Sequence, residues 1–303
     1  MTARTRTRLA ALLATSVVVL AGCGTEDDPQ ADDPNGTPTK SGKPTKKPSP
    51  TDAPPASDSG SGTPDTVAAP LYFVGDTPQG QRLFREFRNV EADNPVDEAL
   101  ALLAAGDTLD PDYSTLLPGG APTLVQGDNS EAIGINLPSF DWTERPEGMS
   151  AKDAKLAVQQ IVYTVQGILQ TRAPVEFFHD GLAPVLGIDQ PSFKAAPEND
   201  VLAFVNVTEP GEGDPVSGTV TASGVANSFE ATVPWEVRDQ NGKKVLDGFA
   251  TAEGWMDKLY PWESQVDLCG LAPGTYTFVA MTDDPSDGEG AGPTEDTKTI
   301  TVQ

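Results

Sequence analysis

The 303-residue sequence predicts an α+β chain: a small mixed α/β unit followed by an all-β sandwich, behind a disordered N-terminal linker. Three observations carry that expectation. A stretch without aromatic residues, rich in Pro, Thr, Ser, Gly, Lys and Asp, runs to about Thr66. Between it and residue 190, apolar runs of strand length are interleaved with two helical patterns. Beyond residue 197 the chain reads as seven short strand candidates separated by turns.

Residues 1–22 place Arg4, Arg6 and Arg8 ahead of LAALLATSVVVLAG, a run too short to cross a bilayer comfortably and built like a secretion signal. It ends LAGC at Leu20 to Cys23, which resembles the lipobox of bacterial lipoproteins. The resemblance implies that the small residues before Cys23 fit the signal peptidase and that the thiol takes diacylglycerol in thioether linkage. A cysteine buried in a membrane helix is the alternative, and the short run followed by the polar GTEDDPQADDPNG argues against it. Removing those three arginines takes the formal net charge from −25 to about −28. Such a chain repels nucleic acid and anionic lipid, so no nucleic-acid partner is expected and membrane contact falls to the acyl chains on Cys23.

Residues 23–66, including TPTKSGKPTKKPSPTDAPPASDSGSGTPDT, offer too little apolar surface to offset their ordering entropy and read as a linker. As a flexible coil it spans roughly 35–40 Å, and in polyproline geometry up to about 130 Å. The cluster Lys40, Lys43, Lys46 and Lys47 reads as a solvated basic patch on that tether, with contact to anionic wall polymer as its alternative.

Residues 67–190 begin with APLYFV and LFREFRNV, both strand-like. NPVDEALALLAAG reads as a helix with Asn94 at the N-cap, Pro95 at the first helical position and Gly106 at the close. TLVQ and AIGINL flank a hairpin. A second helix opens at Ser150, where Ser150 and Asp153 form an acidic variant of the capping box. Its face of Ala154, Ala157, Ile161, Val165 and Ile168 is expected in the core, leaving Gln159, Gln160 and Gln166 mostly solvated. LYFV, LFREFRNV, DEALALLAAG, LDPDYSTLLPGGA, VQQIVYTV and PVEFFHDG, in that order, resemble a GerMN domain, a module of spore-germination and envelope lipoproteins. The resemblance implies a small α/β sandwich and carries over no catalytic residues. His179, the only histidine of the chain, then falls at a strand exit before a turn through Asp180 and Gly181, and is read as a turn residue. No second histidine, CxxC, GxSxG or Walker loop accompanies it, so no metal site and no cofactor are expected.

Residues 197–303 supply VLAFVNV, VSGTVTASG, FEATVPWEVRD, KKVLDGFAT, a segment of LYPWESQVDL, GTYTFVAMT and DTKTITVQ as strands, with a hairpin turn at Gln240, Asn241 and Gly242. DPVSGTVTASGVANSFEATVPWEVRD, with Gly224, Ala226, Phe229, Glu230 and Val233, and GTYTFVAMTDDPSDG are similar to the immunoglobulin-like domain of bacterial spore germination. That family is regarded as a binding or adhesion module. Pro234 departs from the pattern and is expected at an edge or bulge. Trp235 should pack without a disulfide, and Cys269 is read as a small buried hydrophobe, with an intermolecular disulfide in an oxidising exterior as its alternative. Asp283, Asp284, Asp287 and Glu289 carry oxygen ligands suited to calcium, but without EF-hand spacing they read as a solvated loop. Phe229, Glu230 and Trp235 are the candidate recognition residues, although a split with Phe229 in the core and Glu230 outward fits the pattern better.

The expected function is that of a membrane-anchored extracytoplasmic lipoprotein, a non-enzymatic binding or scaffold module whose partner is an envelope protein or a wall polymer. Two alternatives stand: a wall-polymer hydrolase using paired carboxylates, for which no motif nominates a pair, and an accessory lipoprotein of an envelope sensor kinase. The joint near Ala195 to Asn199 is expected to carry few crossing contacts. Cys23→Ala is expected to move the protein from the membrane fraction to the medium, or to leave an uncleaved precursor. Cell fractionation checks this, and normal cleavage with full membrane retention would count against it.

Overall fold

The computed structural model describes residues 65–125, 131–284 and 289–303; the secretion signal, the linker as far as Pro64 with Cys23, the QGDNS hairpin loop and Asp287 lie outside the described residues, while Thr66, the expected end of the linker, already opens the first strand. β1 (Thr66–Thr77) and β2 (Gly80–Glu91) form a long hairpin, in register from Thr66 opposite Glu91 to Thr77 opposite Gly80. Gly80 takes φ of 100° at its tip, which a residue with a Cβ would adopt only under strain. β3 (Tyr113–Ser114) adds to β1, giving a sheet of order β2-β1-β3. β4 (Thr123–Val125), β5 (Ile133–Asn136) and β6 (Val175–Phe178) make a second sheet, antiparallel between β4 and β5 and parallel between β5 and β6.

Two helices complete this unit. α1 (Pro95–Ala105) starts where the sequence places it and closes on Gly106 in the left-handed region, but the Asn94 side chain makes no capping bond. α2 (Ala151–Leu169) carries the expected capping box: Ser150 Oγ accepts from the Asp153 N–H at 3.1 Å, and Asp153 Oδ2 accepts from the Ser150 N–H at 3.3 Å. The core joins Leu71 and Phe73 of β1, Leu100 and Leu103 of α1, Ile161 and Val165 of α2, and Phe177 of β6 around Trp142.

The glutamines of α2 are not solvated. Residues 156–166 are buried without a break, because α2 is covered on more than one side. Each glutamine meets backbone that no ladder satisfies: Gln160 accepts from the Leu116 N–H and donates to the Tyr72 carbonyl, Gln159 accepts from Ala196 and donates to Lys194, and Gln166 donates to Ala173. The helical period in apolar residues showed one buried face, and it was blind to amides buried for their hydrogen bonds.

After the short α3 (Glu198–Val201), eight strands form the sandwich: β7 (Val205–Glu209), β8 (Asp214–Val216), β9 (Thr219–Ala226), β10 (Thr232–Arg238), β11 (Lys244–Thr251), β12 (Tyr260–Asp267), β13 (Gly274–Met281) and β14 (Glu295–Val302). A sheet of order β11-β10-β13-β14-β8 faces one of order β12-β9-β7. The candidate strand VSGTVTASG is two strands, since the chain leaves the larger sheet after Val216 and enters the smaller at Thr219. The Asn241–Gly242 turn forms as expected, with Asp239 Oδ1 accepting from the N–H groups of Asn241 and Lys243.

Pro234 sits in an internal strand, not at an edge. It is tolerated because β13 pairs with β10 only from Trp235 onward, so no ladder bond on that side is lost. Trp235 packs with its ring 6.1 Å from that of Phe278 and against Gly248, where a Cβ would come within 2.4 Å of the indole. Cys269 is exposed, contrary to the expectation of burial, because it lies on the turn after β12 where its N–H is donated to Asp267 Oδ1; it is not a free thiol.

Gly224 is the tightest glycine of the smaller sheet: a Cβ there would lie 2.0 Å from the Asn206 carbonyl oxygen and 2.9 Å from the Trp262 ring. Gly224→Ala is expected to destabilise the fold by about 3 kcal/mol, because the obstruction is backbone and cannot rotate away. Gly270→Ala, with open space around it, is expected to stay within about 0.5 kcal/mol of wild type. Urea denaturation of both variants checks the contrast.

Candidate functional site: a buried ionic seam and an aromatic ledge

The joint carries many crossing contacts. α3 places the Leu202 and Ala203 backbone beside Leu83, whose carbonyl accepts the Ala203 N–H at 2.9 Å. Arg82 Nη1 donates to the carbonyls of Asn199 and Leu202, and Arg85 Nη2 donates to Thr208 Oγ1. Val74, Leu83, Leu156, Tyr163, Leu202 and Leu259 form a small apolar cluster across the joint. The composition shift at the boundary gave no sign of this, because the crossing residues are scattered through strands assigned to each side.

At the centre of the seam is a buried ionic cluster. Lys298 Nζ of β14 lies 2.5 Å from Asp110 Oδ2 and 3.1 Å from Asp296 Oδ1, and donates to the Tyr113 hydroxyl at 2.7 Å. Tyr113 donates to Asp296 Oδ1 at 2.7 Å, and Asp296 Oδ2 accepts from the Val207 N–H at 2.6 Å and from Asn206 Nδ2 at 3.3 Å. Glu86 Oε2 fixes the loop below by accepting from the N–H groups of Leu109 and Asp110. Burial, reinforced by Asp296 and Asp110, holds the Tyr113 hydroxyl well above the usual tyrosine value, so it is a neutral donor. Burial works against the Lys298 ammonium, but the two aspartates outweigh it and raise its pKa above the ordinary lysine value.

The recognition candidates are divided by the fold. Trp235 is only 8% exposed and donates Nε1–H to Ser264 Oγ at 2.9 Å, so it belongs to the sandwich core and not to a surface. Phe229 is 39% exposed, where the residue pattern favoured the core, because residues 229–231 form a 3-10 turn and β10 starts only at Thr232. Glu230 is exposed beside it with φ of 51°. The sequence reading missed Trp255, which lies 38% exposed with its ring 5.2 Å from Phe229 in an edge-to-face contact. Met256, 67% exposed and with φ of 88°, follows it. Its backbone is clamped: the N–H donates to Asn227 Oδ1 at 2.7 Å, and the carbonyl accepts from Asn199 Nδ2 at 2.8 Å and Asn227 Nδ2 at 3.2 Å. On the other flank Ser228 Oγ donates to the Thr232 carbonyl and accepts from the Asp283 N–H. The result is an aromatic ledge on braced loops, with the exposed carboxylates of Glu230, Glu253 and Asp257 on the same turns.

His179 is half-buried at the exit of β6, its N–H donated to the Gly181 carbonyl and its ring 6.2 Å from Phe140, with Asp180 and Gly181 both at positive φ. Among the described residues no three His, Cys, Asp or Glu side chains are grouped as metal ligands, and no helix is long and apolar enough to cross a membrane.

Residues 70–184 match the family model described as sporulation and spore germination, and residues 204–289 match that of the immunoglobulin-like domain of bacterial spore germination. The chain therefore carries a GerMN-type domain followed by a spore-germination immunoglobulin-like domain; neither family is one of known enzymes. Among solved structures, the tandem GerMN domains of the sporulation protein GerM from Bacillus subtilis are 13% identical with a TM-score of 0.36, covering 67% of this chain and 62% of that one. The chain thus spans less than two thirds of that GerM structure. CopC from Methylosinus trichosporium OB3b is 19% identical (TM-score 0.23, 33% of this chain, 93% of that one). A Jonesia denitrificans lytic polysaccharide monooxygenase is 14% identical (TM-score 0.21, 31% and 60%). At these scores the likenesses bear on neither ligand nor activity. No curated protein matches the chain.

Lys298→Met leaves Asp110 and Asp296 buried without their cation and is expected to cost about 3–5 kcal/mol in chemical denaturation at pH 7. The raised lysine pKa sets the sign of the pH dependence. Its stabilisation is complete below the unfolded lysine value and is lost as pH rises through the higher folded value. Wild type is therefore expected to hold its seam at neutral pH and to lose stability in strong alkali; in the Met variant that loss is smaller, since within the seam only the raised Tyr113 hydroxyl still contributes to it.

Proposed function

We propose that this chain is a lipid-anchored, extracytoplasmic and non-enzymatic binding and scaffold module of the cell envelope, tethered by acyl chains on Cys23 and engaging an envelope protein or wall polymer through the Phe229–Trp255 ledge. The ledge is the observation that carries the reading. Exposed aromatic side chains, tryptophan above all, dominate binding energy at interfaces. Trp255 is presented on a loop whose backbone is already fixed by Asn199 and Asn227, so docking has little loop ordering left to oppose it. The location on the immunoglobulin-like domain agrees with the binding role that such domains are regarded as having. The tether reading rests on the LAGC box and on a strongly acidic chain that anionic membranes repel.

Cys23 is one of two cysteines in the chain, and a thioether and a disulfide at Cys23 exclude one another, so mass spectrometry of its peptide tests the anchor directly. A diacylglyceryl adduct supports the proposal and an underivatised or disulfide-linked Cys23 counts against it. For the ledge, Trp255→Ala is expected to reduce partner crosslinking in intact cells at least tenfold, matching a hot-spot loss of about 2 kcal/mol, with an unchanged thermal melt. Full crosslinking by a folded Trp255→Ala protein would sink the ledge as the docking surface.

A further inference from the structure

Of the four tryptophans in the chain, Trp142, Trp235 and Trp262 are buried in the cores, so Trp255 alone is held out to solvent. The turns that carry it and Phe229 are strained. Glu230, Ala231 and Met256, with φ of 51°, 60° and 88°, are three of the six non-glycine residues at positive φ among the described residues. Such strain persists only where the surroundings over-determine the backbone, and it gathers at functional sites. Tyr260 fixes the turn from below: its ring lies where a Cβ on Gly254 would come within 2.8 Å, and its hydroxyl donates to Asp257 Oδ1 at 2.8 Å.

The charge around these rings has one sign. Glu230 follows Phe229 directly, Glu253 and Asp257 stand two residues to either side of Trp255, and all three are exposed. None of the three has an ion-pair partner among the described residues, whereas Glu86, Asp110, Glu236, Glu295 and Asp296 are all paired with Arg or Lys. Lys258, the one basic residue of these turns, lies with Nζ 4.9 Å from the Tyr260 ring centroid. Unpaired carboxylates repel an anionic polymer and attract a cation. The ring geometry agrees. With their planes at 78°, Phe229 and Trp255 form a corner and not the flat platform on which a sugar stacks. A corner accepts the methylene stem of an arginine or lysine along one ring, with its charge beside the other.

We infer that the ledge takes a basic peptide segment of a partner protein, with arginine or lysine interleaved with apolar side chains, and not a wall glycan. The apolar side chains cover Trp255 and Met256, and the cations meet Glu230, Glu253 and Asp257. This rests on the reading of the ledge as the docking surface and narrows it to one class of partner.

Calorimetric titration of the full-length chain tests it with three probes: a short peptide of alternating arginine and leucine, its counterpart with glutamate for arginine, and the neutral N-acetylglucosamine tetramer. The basic peptide is expected to bind saturably, at least about tenfold tighter than either other probe, and to weaken at least about fivefold between roughly 50 and 500 mM salt. It should also shift tryptophan emission to the blue, a signal that belongs to Trp255 because the other three indoles are already buried. Glu230→Gln combined with Glu253→Gln, both at exposed positions, should weaken the peptide about tenfold and leave the thermal melt unchanged. If that double variant binds as wild type while Trp255→Ala loses the peptide, the basic partner is overturned and the ledge stands as a docking surface. If a folded Trp255→Ala protein binds the peptide as wild type, the ledge reading falls and this inference with it. Glycan binding as tight as that of the basic peptide, or no saturable peptide binding, would equally overturn the basic partner.

Discussion

Lys298 is surrounded by carboxylates and a phenol on a side chain that hardly reaches solvent, and its partners come from both halves of the protein: Asp110 and Tyr113 from the α/β unit, Asp296 from its own strand. Removing ions from water is expensive, and the attraction between them repays that cost only when geometry is good and the remaining lone pairs are met. Here Val207, Asn206 and Tyr113 meet those of Asp296. Such a cluster tolerates little displacement, so it fixes the orientation of one unit against the other. A cleft between the two units, lined by Tyr72, Arg85 and Asn206, exists only in that orientation, and the clamp from Asn199 to Met256 depends on the same joint. Apolar contact alone, as in the cluster around Leu83 and Leu202, would hold the halves together with less angular precision.

Much of the fold was legible in the sequence because its signals are local. The capping box at Ser150, the αL close at Gly106, the Asn241–Gly242 turn and the alternation through Val175 to Phe178 are each decided within a few residues. Several of the errors share a cause. Gln159 and Gln160 read as solvated and Pro234 as edge, because the deciding neighbour lies far away in the chain: Ala196 and Leu116 for the glutamines, and for Pro234 the end of the ladder between β10 and β13, whose last pair is Trp235 with Ala280. Gln166 and Phe229 were decided closer by, through the Ala173 carbonyl after α2 and the turn at residues 229–231. Trp255 was overlooked for the former reason. It lies between strand candidates, in a segment with no period, and it is presented by the clamp that Asn227 makes on the backbone of Met256, 29 residues further on.

Half of the candidate surface was thus visible as Phe229 and Glu230, while the cleft was not visible at all. Its residues come from two strands of one sheet, one face of α2, the segment after α2 and the first strand of the sandwich. No spacing rule connects them.

The passage of the chain from β8 to β9 has a mechanical meaning. Val216 is held in the larger sheet by parallel pairing with Val302, and Thr219 in the smaller by pairing with Asp267, with Ser217 and Gly218 alone between them. A two-residue span has almost no slack, so it works as a rivet through the sandwich. One sheet cannot slide over or peel from the other without first stripping β8 from β14 or fraying the start of β9. Through this stitch the opening of one layer is coupled to that of the other.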